Sequence, residues 1–301
     1  MIVHAKAKVN LALDVLGKRA DGYHELKMIM QTVLLNDNVC VEKTTRAGIE
    51  CSCNLPFLPK DTRNLAVLAA RRMLDDFMLP GGVKIDIHKR IPVSAGLAGG
   101  SSDCAAVLLA MNKLYGLGLS LEALMSIGAS MGADVPFCVV GNAAQRGVTY
   151  LAQGVGERLT QLHSCPCCAI VIAKPAFPLS TADVFAAFDN NAVTQRNAEI
   201  QRPEFGILYS ALKAGDLSTL AKNMINVLEY ANLKKYPQIY ELKQFMMKLG
   251  AAGALMSGSG PSVFAVFTEK NMALAASQAI KQQFKLREVF VTGIDITRNS
   301  K

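Results

Sequence analysis

The sequence predicts an α+β fold, a layered sandwich of sheets and helices in two domains. Three observations carry this expectation. Stretches that alternate with period two interleave with stretches of helical spacing along the 301 residues. The chain closes as strand–helix–strand, from Val263–Phe267 through a helix to about Phe284 and a strand near Val289–Thr292. A glycine loop, Ile91-Pro-Val-Ser-Ala-Gly-Leu-Ala-Gly-Gly-Ser-Ser-Asp103, separates the alternating Val83–Ile87 from a helical run reaching Leu114. A boundary near residue 160 divides the chain into domains of 1–160 and 161–301.

From Ala5 to Val15 the alternation is almost strict. Ala5, Ala7, Val9, Leu11, Leu13 and Val15 form one face of a strand, and His4, Lys6, Lys8, Asn10 and Asp14 the other. That polar face is either a solvated sheet surface or the lining of an anion site. Asp21-Gly22 marks a turn that presents Tyr23 and His24, as surface and packing residues or as holders of a planar ring. The apolar Met28–Leu35 follows, then strands near Val39–Glu42 and Ile49–Ser52. Asp61 or Thr62 is the expected cap of a helix carrying Leu65, Leu68, Ala69 and Met73.

In the glycine loop, Gly96, Gly99 and Gly100 let the backbone turn and approach a ligand without a Cβ between them. Ser101, Ser102 and Asp103 stand where the helix cap belongs. The first amides of a helix have no partner inside it and face an anion favourably. This is a phosphate cradle, or else a glycine connection chosen for shape. It lacks the Gly-Lys-Ser/Thr ending of a Walker loop and the Gly-x-Gly-x-x-Gly of a dinucleotide loop.

Ser120 caps the next helix, with Glu122 in its first turn. Gly132-Ala-Asp-Val-Pro136 then sets Asp134 in irregular backbone, where a carboxylate makes a local turn bond or is displayed for catalysis. Short strands are expected from Phe137 to Gln161 and a strand over Cys167–Ala173. A helix capped by Ser180 or Thr181 contains Phe185 and Phe188, and Pro203, Asp216 and Pro237 mark three more helix starts.

Composition bounds the partners. Half the residues are hydrophobic, and the net charge of +8 favours anions. The lysines and arginines are scattered and there is no tryptophan, which argues against a general nucleic-acid binder and for a phosphorylated small molecule. The eight cysteines lack zinc spacing, so no metal site is expected and reduced thiols are. Lys6 and Lys8 interrupt the early apolar stretch, so no signal peptide is read, and no apolar run suits a bilayer. A cytoplasmic protein, monomer or homodimer, without a membrane partner is the expectation.

Ala5-Lys-Ala-Lys-Val-Asn-Leu11, Pro92–Ser102 and Leu255-Met-Ser-Gly-Ser-Gly-Pro261 together resemble the three signatures of the GHMP kinases. Arg19–Glu25 and Gly132–Pro136 resemble the branch that acts on a cytidine-diphosphate-linked methylerythritol. The resemblance implies a ribosomal-protein-S5-type N-terminal domain, a ferredoxin-like C-terminal domain and ATP-dependent phosphorylation of that substrate's hydroxyl. It implies that Pro92, Val93, Ser94, Ala95, Gly96, Leu97, Ala98, Gly99, Gly100, Ser101 and Ser102 wrap the ATP phosphates, with Mg2+ accompanying ATP. Asp134 is then the general base and Lys8 its catalytic cation. Asn10, Tyr23, His24, Phe185, Gly258, Ser259 and Gly260 serve the substrate, with Tyr23 and Phe185 as aromatic faces for cytosine and His24 at its edge. Another GHMP kinase, for homoserine or a mevalonate, and a catalytically silent nucleotide- or RNA-binding protein are the rivals. Two departures stand out: residues 142–153 are about half a dozen longer than the family pattern, and Ala98 stands where glycine is frequent, a change expected to be mild.

Overall fold

The computed structural model describes residues 1–194, 200–232 and 235–294. They form two compact units, each gathered from several stretches. The first takes Met1–Ala7, Leu35–Val93 and Ala98–Gln145, and the second Lys8–Leu34, Ser94–Leu97 and Arg146–Lys301. Strands β1 (Ile2–Lys18) and β2 (His24–Thr44) contribute residues to both.

In the first unit, the later part of β2 pairs antiparallel with β4 (Gly82–His88), Val39 opposite Ile87. β4 in turn pairs in parallel with β3 (Gly48–Cys53), Ile49 opposite Val83. The β-branched face of Val39, Val41, Val83, Ile85 and Ile87 is buried in one core with α1 (Leu65–Asp76) and α2 (Gly99–Tyr115). Those helices meet it with small residues, Ala66, Ala69, Ala70, Ala105 and Ala106, which allow close backbone approach. Helices α3 (Leu121–Ala129) and α4 (Val135–Ala143) complete the unit through Leu124, Val135 and Val139.

Three sequence expectations are corrected here. The strand expected near Val39–Glu42 is the end of a longer one that also takes in the apolar Met28–Leu35, because Asp37 at the polar midpoint is buried and its Oδ1 accepts the amides of Arg90 (2.5 Å) and Ile91 (2.8 Å). Asn64, not Asp61 or Thr62, caps α1 by accepting the Ala66 amide at 3.0 Å; Asp61 is held by Arg63 instead. Phe137–Ala143 is helix rather than strand, since Pro136 lies in a first turn that needs no amide from it.

In the second unit, the early part of β2 pairs with β5 (Thr149–Gly154), Met28 opposite Ala152, and β5 with β6 (Arg158–Gln161). The longer 142–153 segment therefore finishes α4, makes a short connection and supplies β5. A separate four-stranded antiparallel sheet is built from β7 (Ala169–Ala173), β9 (Gly253–Met256), β10 (Val263–Phe267) and β11 (Val289–Gly293), in the order β11-β7-β10-β9. Every residue of the central β7 and β10 is buried, which explains their unbroken apolar runs. Helices α9 (Pro237–Lys248) and α10 (Lys270–Phe284) pack on this sheet. The short strand β8 (Ile225–Asn226) runs parallel to β1. Helices α5 (Thr181–Thr194), α6 (Phe205–Ala214), α7 (Leu217–Lys222) and α8 (Glu229–Asn232) fill the remaining connections. The starts expected at Asp216 and Pro237 are observed, and Asp216 accepts the Thr219 amide at 3.0 Å. Among the described residues no helix is long and apolar enough to cross a membrane.

Candidate active site

The polar face of β1 is solvated only at its start, where His4 is exposed and Lys6 half-buried. Lys8, Asn10 and Asp14 are all buried, so each needs a polar partner to offset its lost hydration. Lys8 Nζ donates to Asn10 Oδ1 at 2.7 Å, and Asp14 is bound by Arg202 at 2.7 Å. In this second unit three of the sequence signatures converge. The Lys8 amide donates to the Leu97 carbonyl at 3.1 Å, and Ser257 Oγ donates to the Gly96 carbonyl at 2.9 Å. A Cβ placed on Gly258 would lie 3.3 Å from Lys8 Nζ, 3.5 Å from Asn10 Oδ1 and 3.2 Å from the Gly96 oxygen. Gly96 takes φ +74°, and a Cβ on it would overlap the Ser257 carbonyl. Only glycine permits this approach. Ser259 Oγ shares a hydrogen bond with Thr181 Oγ1 at 2.9 Å, which ties the Ser257–Gly260 turn to the start of α5. Gly260 follows at φ +80°.

Sequence reasoning missed Asn226. Its Nδ2 donates to the carbonyls of Met256 (2.9 Å) and Gly258 (2.8 Å), so it shapes the turn from beneath. A lone asparagine between two apolar residues carries no periodic signal by which it could be found.

Of the glycine loop, Ser94–Leu97 belong to the second unit, whereas the residues up to Val93 and those from Ala98 onward belong to the first. Helix α2 begins at Gly99, two residues before the serines expected to cap it. Ala98 occupies the N-cap in left-handed backbone, φ +57° and ψ +28°, with no side-chain cap and no acid in the first turn. The first amides, from Gly99 to Ser101, thus lie at the positive end of α2 without a helical acceptor of their own. An anionic phosphate suits that arrangement. Of the two serines, Ser102 is fully buried and its hydroxyl donates to the Lys6 carbonyl at 2.8 Å, locking β1 to α2. Ser101 is half-buried, its Oγ 3.8 Å from where a Cβ on Gly132 would stand. Asp103 is not a cap; it enters a buried ion cluster with Lys89. Pro92, Val93, Ser94 and Ala95 form the irregular approach to this start, with Ser94 also left-handed at φ +51°. The Ala98 substitution is less mild than expected, because a Cβ is disfavoured at its φ. Asp134 is half-buried at the N-cap of α4, and its carboxylate makes no capping hydrogen bond there.

The aromatic group lies in the second unit. Tyr23 follows the Asp21-Gly22 turn, which is closed by the Arg19 amide on the Tyr23 carbonyl (2.8 Å), and it is 66% exposed. Phe185 is half-buried and stacks on the His24 ring, with centroids 4.6 Å apart and planes at 26°. The core of α5 is filled by Val184 and Phe188 instead. The His24 side chain is already engaged, Nε2 lying 2.7 Å from Asp189 Oδ1. Lys18 completes that group at 3.0 Å from Asp189 Oδ2. Partial burial pushes the Asp189 carboxyl up, but hydrogen bonds and charge from His24 and Lys18 outweigh it and hold it below the usual range. Phe177 stacks on Tyr236 as loop packing.

Known proteins resemble this chain over nearly all of its length. Residues 64–142 match the GHMP kinases N terminal domain and residues 208–286 the GHMP kinases C terminal domain. A 4-diphosphocytidyl-2-C-methyl-D-erythritol kinase of Acetivibrio thermocellus is 44% identical over 92% of this chain and 93% of its own. The kinase of that name from Clostridium perfringens is 44% identical over 97% of both chains. A crystal structure of 4-(cytidine 5'-diphospho)-2C-methyl-D-erythritol kinase superposes with a TM-score of 0.80 at 33% identity, covering 98% of this chain and all of that one. With its signatures brought together around Gly96 and Gly258, and with relatives this similar along nearly their whole length, the chain belongs to the GHMP kinase family.

Proposed function

We propose that the protein is an ATP-dependent kinase that phosphorylates the 2-hydroxyl of 4-diphosphocytidyl-2-C-methyl-D-erythritol, in the cytoplasm, for non-mevalonate isoprenoid precursor synthesis. The observation that carries it is the convergence of Lys8, Asn10, Gly96 and Gly258 in one unit. Amides from Ser94 to Ser102 bind the ATP phosphates, as the uncapped start of α2 favours. The substrate oxygen attacks the γ-phosphorus, the bond to the β-phosphate oxygen breaks, and ADP leaves. Asp134 takes the hydroxyl proton, while Lys8, held by Asn10, orients the hydroxyl and stabilises charge. Tyr23, His24 and Phe185 select the cytosine, and Ser259 and Gly260 complete the substrate turn. Residues 1–160 and 161–301 are the corresponding N- and C-terminal domains. Magnesium comes with ATP; among the described residues no group of three acidic, histidine or cysteine side chains gathers to hold it, and no residue is assigned to it. The eight free cysteines suit a reducing compartment.

The test is ATP consumption with the cytidylated substrate, mevalonate and homoserine in parallel. Turnover is expected on the first alone, and Asp134→Asn should lower its kcat by on the order of 10²–10⁴. ATP affinity should be nearly unchanged in that variant. Turnover on mevalonate or homoserine in place of the cytidylated substrate would overturn the assignment, and near-normal kcat in Asp134→Asn would remove the base.

A further inference from the structure

A buried charge cluster lies where β4 runs into the glycine loop, outside every residue assigned above. Lys89 directly follows β4, and its Nζ donates to Asp37 Oδ2 at 2.5 Å and to Asp103 Oδ2 at 2.7 Å. The three side chains are at most 5% exposed. Asp37 comes from the middle of β2 and Asp103 from the second turn of α2. The Lys89 backbone is pinned as well: Asn54 accepts its amide at 2.8 Å and donates to its carbonyl at 3.1 Å. With Asp37 holding the amides of Arg90 and Ile91, the backbone amides from 89 to 91 are all fixed. A Cβ placed on Gly99 would lie 3.2 Å from Lys89 Nζ and 3.1 Å from Ile91 Cγ2. The ammonium therefore sits directly beneath the first residue of α2, and glycine there keeps it in place.

We propose that Lys89, clamped between Asp37 and Asp103, is a positioning residue that sets the glycine loop and the start of α2 for the nucleotide phosphates. This rests on the reading of that loop as the ATP cradle. The cluster holds two carboxylates and one ammonium, and the two acids differ. Asp37 receives Lys89 and two amides, whereas among the described residues the Oδ1 of Asp103 has no hydrogen-bond partner. Burial raises the Asp103 carboxyl, Lys89 lowers it and Asp37 raises it, leaving it at about 7. The other titratable groups facing it are thiols, Cys51 and Cys53 on β3 and Cys104 on α2. Burial raises all three, Cys104 to about 12, so they stay neutral near pH 7. With Asp103 protonated the cluster is neutral; with it ionised one uncompensated negative charge lies under the phosphate cradle. In a low-dielectric interior that charge repels the nucleotide. ATP binding therefore weakens as pH rises through about 7.

Calorimetric titration of ATP into the full chain between pH 6 and pH 8, without acceptor, tests this. ATP's own terminal phosphate titrates identically with any variant, so the difference between proteins reports Asp103. Wild type should lose roughly tenfold more affinity over this range than Asp103→Asn, one pKa unit being a factor of ten. Lys89→Met should lose at least tenfold in ATP affinity at pH 7 while binding the cytidylated substrate normally. Because Lys89→Met strands two buried carboxylates and threatens the fold, Asp103→Asn is the deciding variant. If wild type binds ATP and both proteins show the same pH profile, the positioning inference is overturned and the ATP reading stands. If wild type binds no ATP, the cradle reading falls and this inference with it.

Discussion

At Ala98 a single methyl group meets a backbone that prefers none. The left-handed conformation costs an L-residue roughly 1–2 kcal/mol, and the residue holds it at the very point where α2 begins. Ala98→Gly removes that cost and returns about 0.5–1 kcal/mol of unfolded-chain entropy. A net gain of up to about 1 kcal/mol follows, which corresponds to a Tm rise of about 2 °C for a chain of this size. A thermal melt reads it directly, and a lower Tm for Ala98→Gly would refute the strain. Residues of this kind divide into two sets. Lys8, Asn10, Gly96 and Gly258 were legible because motifs mark them. Asp37, Asn54, Asp189 and Asn226 were not, because each acts on backbone or side chains far away in sequence.

Helix α5 presents different faces to the core and to His24. Val184 and Phe188 bury into the core, while Phe185 points to His24. Phe185→Ala should therefore leave Tm nearly unchanged and weaken the cytidylated substrate about ten- to a hundredfold. Base–aromatic stacking is worth roughly 1–3 kcal/mol, and the KM for ATP should hardly move. A drop in Tm with unchanged substrate affinity would return Phe185 to the core. The sequence placed this helix correctly and missed that Phe185 stacks on His24. It did not join the apolar Met28–Leu35 to the strand near Val39–Glu42, since the polar Asn36-Asp-Asn38 between them finds its place only when Asp37 is seen accepting the Arg90 and Ile91 amides. The strand expected over Phe137–Ala143 failed similarly: a short apolar run with two valines suits either state, and packing beside α2 and α3 chose helix.

For the molecule as a whole, the buried cluster at Lys89 predicts how stability follows pH. Asp103 titrates at 3.8 in the unfolded chain and at about 7 in the folded one. Between those values the folded protein holds a proton that the unfolded chain releases, so this group's contribution to stability falls as pH rises from about 4 to about 7. Asp103→Asn removes the term. Wild type and variant should melt together near pH 4, and the variant should melt higher by pH 8; a constant difference across the range would contradict the proton assignment. By itself the amino-acid sequence determined the α+β class, the order of nearly all the elements, the glycine loop and the family to which it belongs. These follow from period, turn chemistry and short motifs, which are local in the chain. Tertiary structure alone decided that each compact unit is gathered from several stretches, that Lys8, Asn10 and Asp14 of β1 are buried, and that Asp103 pairs with Lys89 instead of capping α2. The physical reason is that burial and ion pairing depend on which distant segments share a low-dielectric interior, and no local pattern of residues encodes that partner.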